Sequence, residues 1–259
     1  MLFPNIDPVF LSIGPLQFRW YGLMYVLAFV ATYFIVRSET RRKQLPLTLD
    51  DVSDFVFYGA MGVVLGGRLG YILFYNLGFY LDNPLRIFAV WEGGMSFHGG
   101  FLGVIVATIL YARKKDLTFF SLGDIVVQCA PVGLGLGRIG NFINGELYGR
   151  QTDLPWGVVF PGAGELPRHP SQLYEAFLEG LVLFFIVRFA ARHSSTVGVA
   201  SWAFVAGYGL FRFMVEFVRQ PDAQLGFFMG LFSMGQLLSL PMFIFGSFMI
   251  IRLSRKSQA

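Results

Sequence analysis

Arg138 is the first candidate for a chemical role, because it stands in a segment that is apolar enough to enter a membrane. It belongs to the sequence GRIGNFINGELYGR, which runs from Gly137 to Arg150. A charged guanidinium at bilayer depth costs about 3 kcal/mol on insertion scales, so such a residue usually faces a cavity or a partner. No acidic residue lies three or four positions from Arg138. We therefore expect a bound anion, or a partner on another helix, to neutralise its charge.

Two side-chain amides share a predicted helical face with this arginine. If the helix continues past Gly140, then Arg138, Asn141 and Asn144 follow one another at steps of three residues, which places them on one side of the helix. Glu146 follows in the same segment. We treat the two asparagines and Glu146 as candidate substrate-binding residues beside Arg138.

A second charged stripe is predicted nearer the C-terminus. Arg212, Glu216 and Arg219 stand at positions i, i+4 and i+7, so a continuous helix would place them on one face. The structural alternative for Arg212 and Glu216 is an ion pair within the helix, and Arg219 could lie at the interface with its charge in water. If Arg138 and Arg212 converge at one leaflet, their planar guanidiniums suit bidentate binding of a phosphate.

His98 and Tyr21 complete the candidate site. His98 stands in GGMSFHGG, where glycines on both sides would let a substrate approach its ring, and an imidazole can accept or donate a proton near neutral pH. The alternative is a packing histidine without a chemical role. Tyr21 lies at the predicted outer end of the first helix, where it could serve the site or anchor the chain. His169 and His193 are expected in loops.

The composition requires a membrane to position these residues. The chain has 259 residues, of which 55% are hydrophobic and 14% charged, and its mean hydropathy is +0.59. Apolar segments run over about 18–36, 53–77, 95–112, 119–140, 171–190, 197–218 and 233–252. Segments of this length suit helices that span a bilayer and exceed the length of barrel strands. We predict an all-α, polytopic membrane protein with about seven transmembrane helices.

Basic residues follow every second apolar segment. The four clusters are Arg37, Arg41, Arg42 and Lys43; Arg113, Lys114 and Lys115; Arg188 and Arg192; and Arg252, Arg255 and Lys256. Loops rich in Lys and Arg face the cytoplasm, which predicts an N-terminus outside and a C-terminus in the cytoplasm. We expect a single transmembrane domain over 1–259, with an extracytoplasmic arm over about 78–94 and a small extracytoplasmic head, or cap, over about 141–170.

Glycine spacing predicts close helix packing at two places. Gly62, Gly66 and Gly70 recur at every fourth position, as do Gly133 and Gly137. Small residues at this spacing let helix backbones approach each other closely in lipid. The glycines are therefore expected to serve packing.

Several function classes are disfavoured by what the sequence lacks. Cys129 is the only cysteine, which excludes an internal disulfide and a cysteine-based zinc site. The sequence has no His-Glu-x-x-His motif, and we expect no metal. The basic residues stand beside apolar segments and form no face for a duplex, so we expect no nucleic-acid partner. An enzyme acting on a lipid phosphate, an anion carrier and a noncatalytic lipid-binding scaffold remain open.

Six sequence blocks together resemble the bacterial phosphatidylglycerol–prolipoprotein diacylglyceryl transferases. In chain order they are RWYGLMY, GGRLGYILFYN, MSFHGGFLG, GRIGNFINGELYGR, RHPSQLYE and YGLFRFMVEFVRQPD. The similarity covers nearly the whole chain, and residues 151–166 are its least distinctive part. Long blocks in the expected order are far more specific than any single short motif.

The resemblance implies a cofactor-free reaction in the bacterial cytoplasmic, or inner, membrane. The diacylglyceryl group of phosphatidylglycerol would pass to the lipobox cysteine thiol of a prolipoprotein signal peptide, giving a thioether and releasing glycerol phosphate, the first step of lipoprotein maturation. The essential groups that it implies are Tyr21, His98, Arg138, Asn141, Arg212 and Glu216.

These implied roles fit a physical hypothesis. Arg138 and Arg212 would hold the phosphate and stabilise the charge that develops on the departing oxygen. His98 would accept the thiol proton, although the field of the arginines could make a weaker base sufficient. Glu216 would orient Arg212, and Asn141 would hold the headgroup.

Overall fold

The computed structural model describes residues 1–220, 227–228 and 232–256. Pro221 and Asp222, at the end of the sixth sequence block, lie outside the described residues. The α-helices are α1 (Trp20–Arg42), α2 (Leu49–Tyr75), α3 (Leu77–Asp82), α4 (Phe97–Lys114), α5 (Phe119–Ile143), α6 (Ser171–Glu175), α7 (Leu183–His193), α8 (Val199–Val215) and α9 (Met234–Lys256). A π-helix, Ala176–Val182, joins α6 to α7, and short 3₁₀ helices cover Pro84–Phe88 and Val90–Glu92.

The long helices coincide with the predicted apolar segments. Because α6, the π-helix and α7 form one continuous rod, the described residues contain seven long helical rods at the seven predicted places. Within the described part of the chain, four helices are long and apolar enough to cross a membrane: Trp20–Arg42, Leu49–Tyr75, Phe119–Ile143 and Met234–Arg255. A shorter apolar helix covers Val199–Val215. The prediction of an all-α, polytopic membrane protein is confirmed.

Two short hairpins were not predicted. Strand β1 (Val9–Ile13) pairs with β2 (Leu16–Arg19) in an antiparallel hairpin ahead of α1, and Phe227–Phe228 (β3) pairs with Phe232–Ser233 (β4). Gly14 takes a positive φ of 58° in the first turn, a conformation that glycine adopts without steric cost. Helix α1 begins at Trp20, directly after this hairpin and close to the start of the predicted segment 18–36.

Helix ends also differ from the predictions at two site-related places. Helix α8 ends at Val215, and Arg219 instead forms an antiparallel bridge with Gly149. The predicted stripe therefore stops at Glu216, and the placement of Arg219 on the helical face was wrong. His193 is the last residue of α7, so the expectation of a loop histidine was wrong there too.

The chain divides into two compact units, Thr32–Ile125 and Met1–Ala31 with Val126–Ala259. In the unit Thr32–Ile125, α2 packs on α4 through glycines. A Cβ added to Gly62 would lie 2.6 Å from the carbonyl oxygen of Gly103, and one on Gly70 would lie 2.7 Å from the Cα of Gly99. Gly66 also meets the Gly99 carbonyl. The close packing predicted for this glycine series is confirmed.

The other unit, Met1–Ala31 with Val126–Ala259, contains the second predicted glycine pair, and there the prediction was wrong. A Cβ added to Gly133 or Gly137 would meet no described atom within 4 Å. Instead, Gly135 meets Gly180, where an added Cβ would lie 2.7 Å from the Cα of Gly135. The backbone contact thus joins α5 to the π-helix, which brings the helix of Arg138 against the rod that carries two buried glutamates.

Candidate active site

Arg138 on α5 has its neutralising partner on another helix. Its Nη2 lies 2.6 Å from Oε2 of Glu175, the last residue of α6. The Glu175 side chain is fully buried, whereas the Arg138 side chain keeps 17% of its surface exposed. The expectation of a partner on another helix is confirmed. The arginine thus contacts a buried carboxylate while part of its own side chain remains exposed.

Arg212, in the last turn of α8, meets the same carboxylate. Its Nη1 lies 3.4 Å from Oε2 of Glu175, and its Nη2 lies 2.9 Å from Oε2 of Glu216. The contact with Glu216 is an ion pair by distance without hydrogen-bond alignment. We call Arg138, Glu175, Arg212 and Glu216 the arginine–glutamate chain. Its centre is one carboxylate oxygen that joins both guanidiniums.

The sequence analysis missed Glu175. The residue closes the block RHPSQLYE and lies in the predicted apolar segment 171–190, which also contains Glu179. Both side chains are fully buried. Acidic residues inside a membrane helix almost always face the bundle interior and pair with other groups. The presence of two acids in the predicted segment 171–190 was the signal that could have found them.

The amides of the signature segment converge on Glu146. The Nδ2 atoms of Asn141 and Asn144 donate to Oε1 of Glu146 at 2.9 and 3.1 Å. Gln172 Nε2 donates to the Glu146 carbonyl at 2.6 Å. Asn141 is buried, whereas Asn144 and Glu146 are exposed, since α5 ends at Ile143. The structure thus brings the three predicted binding residues together at the end of α5.

Tyr21 lies over the same end of α5. A Cβ added to Gly140 would lie 2.7 Å from the Tyr21 ring, so only a glycine leaves room for the ring there. The Tyr21 hydroxyl lies 3.5 Å from that of Tyr25. The phenol is half-buried, and its ring faces the turn of α5 that follows Arg138.

His98 belongs to the unit Thr32–Ile125 and stands in the first turn of α4. Its side chain is exposed, and its ring meets that of Phe97 edge-on at 5.7 Å between centroids. Ser96 caps the helix, because its Oγ accepts a hydrogen bond from the Gly99 backbone N–H at 3.2 Å. An exposed imidazole between glycines is accessible to a substrate, and its role as base stays a prediction.

A buried arginine holds the segment that precedes His98. The Arg68 guanidinium is almost fully buried and donates hydrogen bonds to five backbone carbonyls: those of Arg86, Ile87, Ala89, Gly93 and Gly94. It also lies 5.0 Å from the centroid of the Tyr80 ring. Arg68 therefore fixes the part of the chain for which an extracytoplasmic arm was predicted.

His169 occupies the loop predicted to form the head, as expected. Its Nδ1 lies 3.4 Å from the hydroxyl of Tyr174, which also accepts a hydrogen bond from Trp156 Nε1 at 2.7 Å. Burial lowers the pKa of His169 below its usual value, and the positive charge of Arg150 lowers it further. This histidine is thus a neutral packing residue at pH 7.

The described residues of this arrangement do not form a recognisable metal site. Among the described residues, no group of three or more His, Cys, Asp or Glu side chains is close enough to hold a metal ion. The polar groups that do cluster are two arginines with carboxylates, together with amides. Such a set suits a phosphate or carboxylate ligand, because guanidiniums donate in a fork that matches these anions.

These features define a multi-pass helical membrane protein with a buried paired-arginine site. The family model for prolipoprotein diacylglyceryl transferase matches residues 8–252. The chain belongs to this family, which confirms the resemblance of the six sequence blocks. It is therefore a transferase and an integral protein of the bacterial inner membrane.

Curated relatives cover almost the full chain. A phosphatidylglycerol–prolipoprotein diacylglyceryl transferase of Geobacter sulfurreducens is 64% identical over 99% of this chain and 98% of its own length. A Vibrio cholerae enzyme of the same name is 57% identical over 96% of this chain and 92% of its own length. One from Vibrio atlanticus is 55% identical over 96% and 91%.

Proposed function

We propose that this protein transfers the sn-1,2-diacylglyceryl group of phosphatidylglycerol to the lipobox cysteine of a prolipoprotein signal peptide. In this reaction the thiol sulfur forms a bond to the glycerol carbon, the bond from that carbon to the phosphate oxygen breaks, and glycerol phosphate leaves. The thiol proton passes to a base. The observation that carries the proposal is the single carboxylate oxygen of Glu175 between Arg138 and Arg212, at 2.6 and 3.4 Å.

The two arginines would form the phosphate clamp. Both guanidiniums contact the same oxygen of Glu175. They are therefore close enough to bind the oxygens of one phosphate group together. Both side chains keep a small exposed fraction, 17% for Arg138 and 13% for Arg212, whereas the Glu175 side chain is fully buried. Fixed positive groups at the oxygen where charge develops lower the barrier, because they need no reorganisation during the reaction.

The residues at the end of α5 would hold the headgroup. Asn141, Asn144 and Glu146 form one hydrogen-bonded group, and Tyr21 packs over the preceding turn. Amide and carboxylate groups suit the hydroxyls of a glycerol headgroup, since they supply both donors and acceptors. Glu216 would orient Arg212, which it contacts at 2.9 Å.

His98 is the candidate base. A cysteine thiol with a pKa of about 8.5 must lose its proton before it attacks, and the His98 side chain is exposed. Because His98 would act on the thiol and Arg138 on the phosphate, loss of the base and loss of the clamp can be measured separately. If His98→Gln kept near-normal turnover while Arg138→Ala abolished it, the base assignment would fail and the clamp would stand.

The proposed membrane arrangement follows the basic clusters. We infer an outside N-terminus, a cytoplasmic C-terminus, and one transmembrane domain over 1–259 that carries the arm (78–94) and the head (141–170) on its outer side. The reaction needs no cofactor, because both substrates bring their own reacting groups. The partners are phosphatidylglycerol and the prolipoprotein signal peptide, with no nucleic acid.

The deciding assay uses purified protein in micelles that contain phosphatidylglycerol and a lipobox peptide. Glycerol phosphate release and peptide mass are followed for the wild type, Arg138→Ala, Arg212→Ala and the control Arg192→Ala, whose side chain is exposed in the last turn of α7. Peptide-dependent release with a diacylglyceryl mass gain, lost in the first two variants and kept in the control, supports the proposal. Lipid binding without either product would favour an anion carrier or a scaffold.

A further inference from the structure

Glu179 is a fully buried acid that the proposed reaction does not use. Its side chain has no exposed surface, and neither carboxylate oxygen has a hydrogen-bond partner among the described residues. It stands one turn beyond Glu175, within the π-helix Ala176–Val182. Burying an ionised carboxylate without donors is strongly unfavourable, and burying a protonated carboxyl costs far less free energy.

The surroundings of Glu179 already contain as many carboxylates as arginines. The charged and titratable groups that face it come from α5, α6 and α8: Glu175, Arg138, Arg212, Glu216 and Tyr208. The two arginines balance Glu175 and Glu216, with which they form ion pairs. An ionised Glu179 would therefore give the group a net negative charge and repel a phosphate.

The backbone holds Glu179 in this position. Gly180 and Gly135 are in direct backbone contact, where an added Cβ on Gly180 would lie 2.7 Å from the Gly135 Cα. The π-helix is thus pressed against α5 at the residue after Glu179. Single π-helical turns occur frequently at functional sites, and here the turn keeps an acid beside the two arginines.

We propose that Glu179 carries a proton when phosphatidylglycerol binds, and that this neutral side chain leaves the two arginines able to accept the lipid phosphate. Glu179 is then a positioning residue that acts through charge and does not touch the substrate. The inference rests on the proposed phosphate clamp of Arg138 and Arg212. It adds that occupancy of the clamp and deprotonation of Glu179 exclude each other.

The test measures binding of glycerophosphoglycerol, a soluble phosphodiester whose single negative charge does not change between pH 6 and 9. The full-length protein is held in micelles without phosphatidylglycerol, and no peptide is added, so no thiol titrates. For the wild type, affinity should fall as pH rises and approach a tenfold loss per pH unit at the alkaline end, because binding must then be accompanied by uptake of one proton by Glu179. Glu179→Gln, a neutral isostere, should show no such fall.

Matched variants separate charge from packing. Glu165→Gln, which changes an exposed glutamate, should keep the wild-type pH profile. His98→Gln should keep it too, if the titration belongs to Glu179. At the alkaline end, diester binding to the wild type should take up one proton, measured by calorimetry in buffers of different ionisation enthalpy. This last measurement needs no Glu179 variant and so does not depend on how well the variant folds.

The outcomes distinguish this inference from the proposed function. Wild-type binding that is independent of pH, a pH dependence retained in Glu179→Gln, or binding without proton uptake would each overturn the role of Glu179 and leave the clamp intact. Absence of diester binding at every pH would overturn the clamp, and the role of Glu179 with it.

Discussion

Replacement of Glu175 by glutamine tests whether one carboxylate organises both arginines. The variant keeps the size of the side chain and removes its negative charge. In the structure, Oε2 of Glu175 lies 2.6 Å from Arg138 and 3.4 Å from Arg212. After the change, two guanidiniums that are mostly buried would keep Glu216 as their remaining ion-pair partner among the described residues.

The expected magnitude follows from burial. Removing one partner of a buried ion pair costs about 3–5 kcal/mol, because a charge is left uncompensated. For a chain of this size, 1 kcal/mol corresponds to about 2–4 °C in Tm, so we expect Tm to fall by roughly 10 °C. Displacement of catalytic groups by about 1 Å costs about 100-fold in rate, and we expect kcat/KM to fall by at least that factor.

The assay compares Glu175→Gln with Glu165→Gln, which alters an exposed glutamate and should leave Tm unchanged and kcat/KM within about twofold of the wild type. Thermal unfolding in micelles gives Tm. Turnover with phosphatidylglycerol and a lipobox peptide gives kcat and KM for the lipid. A Glu175→Gln protein that kept wild-type kcat/KM would refute the organising role. A lower KM for the lipid would show instead that Glu175 competes with the phosphate.

Three further predictions concern packing and pH. Gly66→Ala should lower the unfolding free energy by about 1–3 kcal/mol, because the added methyl meets the backbone of α4, whereas Gly59→Ala on the same helix, with open space around it, should not lower Tm. Arg68→Lys should lower Tm and expose residues 77–94 to protease, since lysine cannot reproduce a fork to five carbonyls. His169 has a lowered pKa in the folded protein, so the unfolded chain binds the proton first. Stability should therefore be constant above about pH 6.5 and fall below it, and His169→Gln should remove that fall in a Tm series from pH 7.5 to 5.5.

The positions of the helices could be predicted because lipid imposes a simple rule on length and polarity. A bilayer needs about 20 apolar residues in each span, and that requirement locates each helix without knowledge of its neighbours. The positions of the helix ends have other causes. Helix α1 begins at Trp20 because the preceding residues pair with β1, and beyond the end of α8 at Val215 the chain turns so that Arg219 bridges to Gly149. Both contacts involve residues outside the helix, and no periodicity within the helical segment reports them.

Glycine spacing was informative only where both helices supply small residues. Gly62 and Gly66 face glycines of α4, so close approach occurs over several turns. Gly133 and Gly137 have the same spacing, yet the contact on α5 is made by Gly135 with Gly180. The spacing of glycines in one helix shows that the helix has a face of small residues. The helix that packs against this face determines which of its residues make the contact.

The candidate site, like the helix packing, could be predicted only in part. The sequence shows what a single residue requires, but not which neighbour meets the requirement. Arg138 required an anion or a partner, and this much was evident from a charge without a local acid. The identity of that partner was not evident from the sequence, because Glu175 lies on a different helix and beyond a loop of irregular structure. The two acidic residues of the apolar segment 171–190 were the signal in the sequence that a partner for Arg138 was available there. A segment that is apolar enough to span a membrane contains Glu175 and Glu179, and each must be neutralised. The structure neutralises the first with two arginines. It gives the second no donor among the described residues, and a proton is the simplest remaining way to remove its charge.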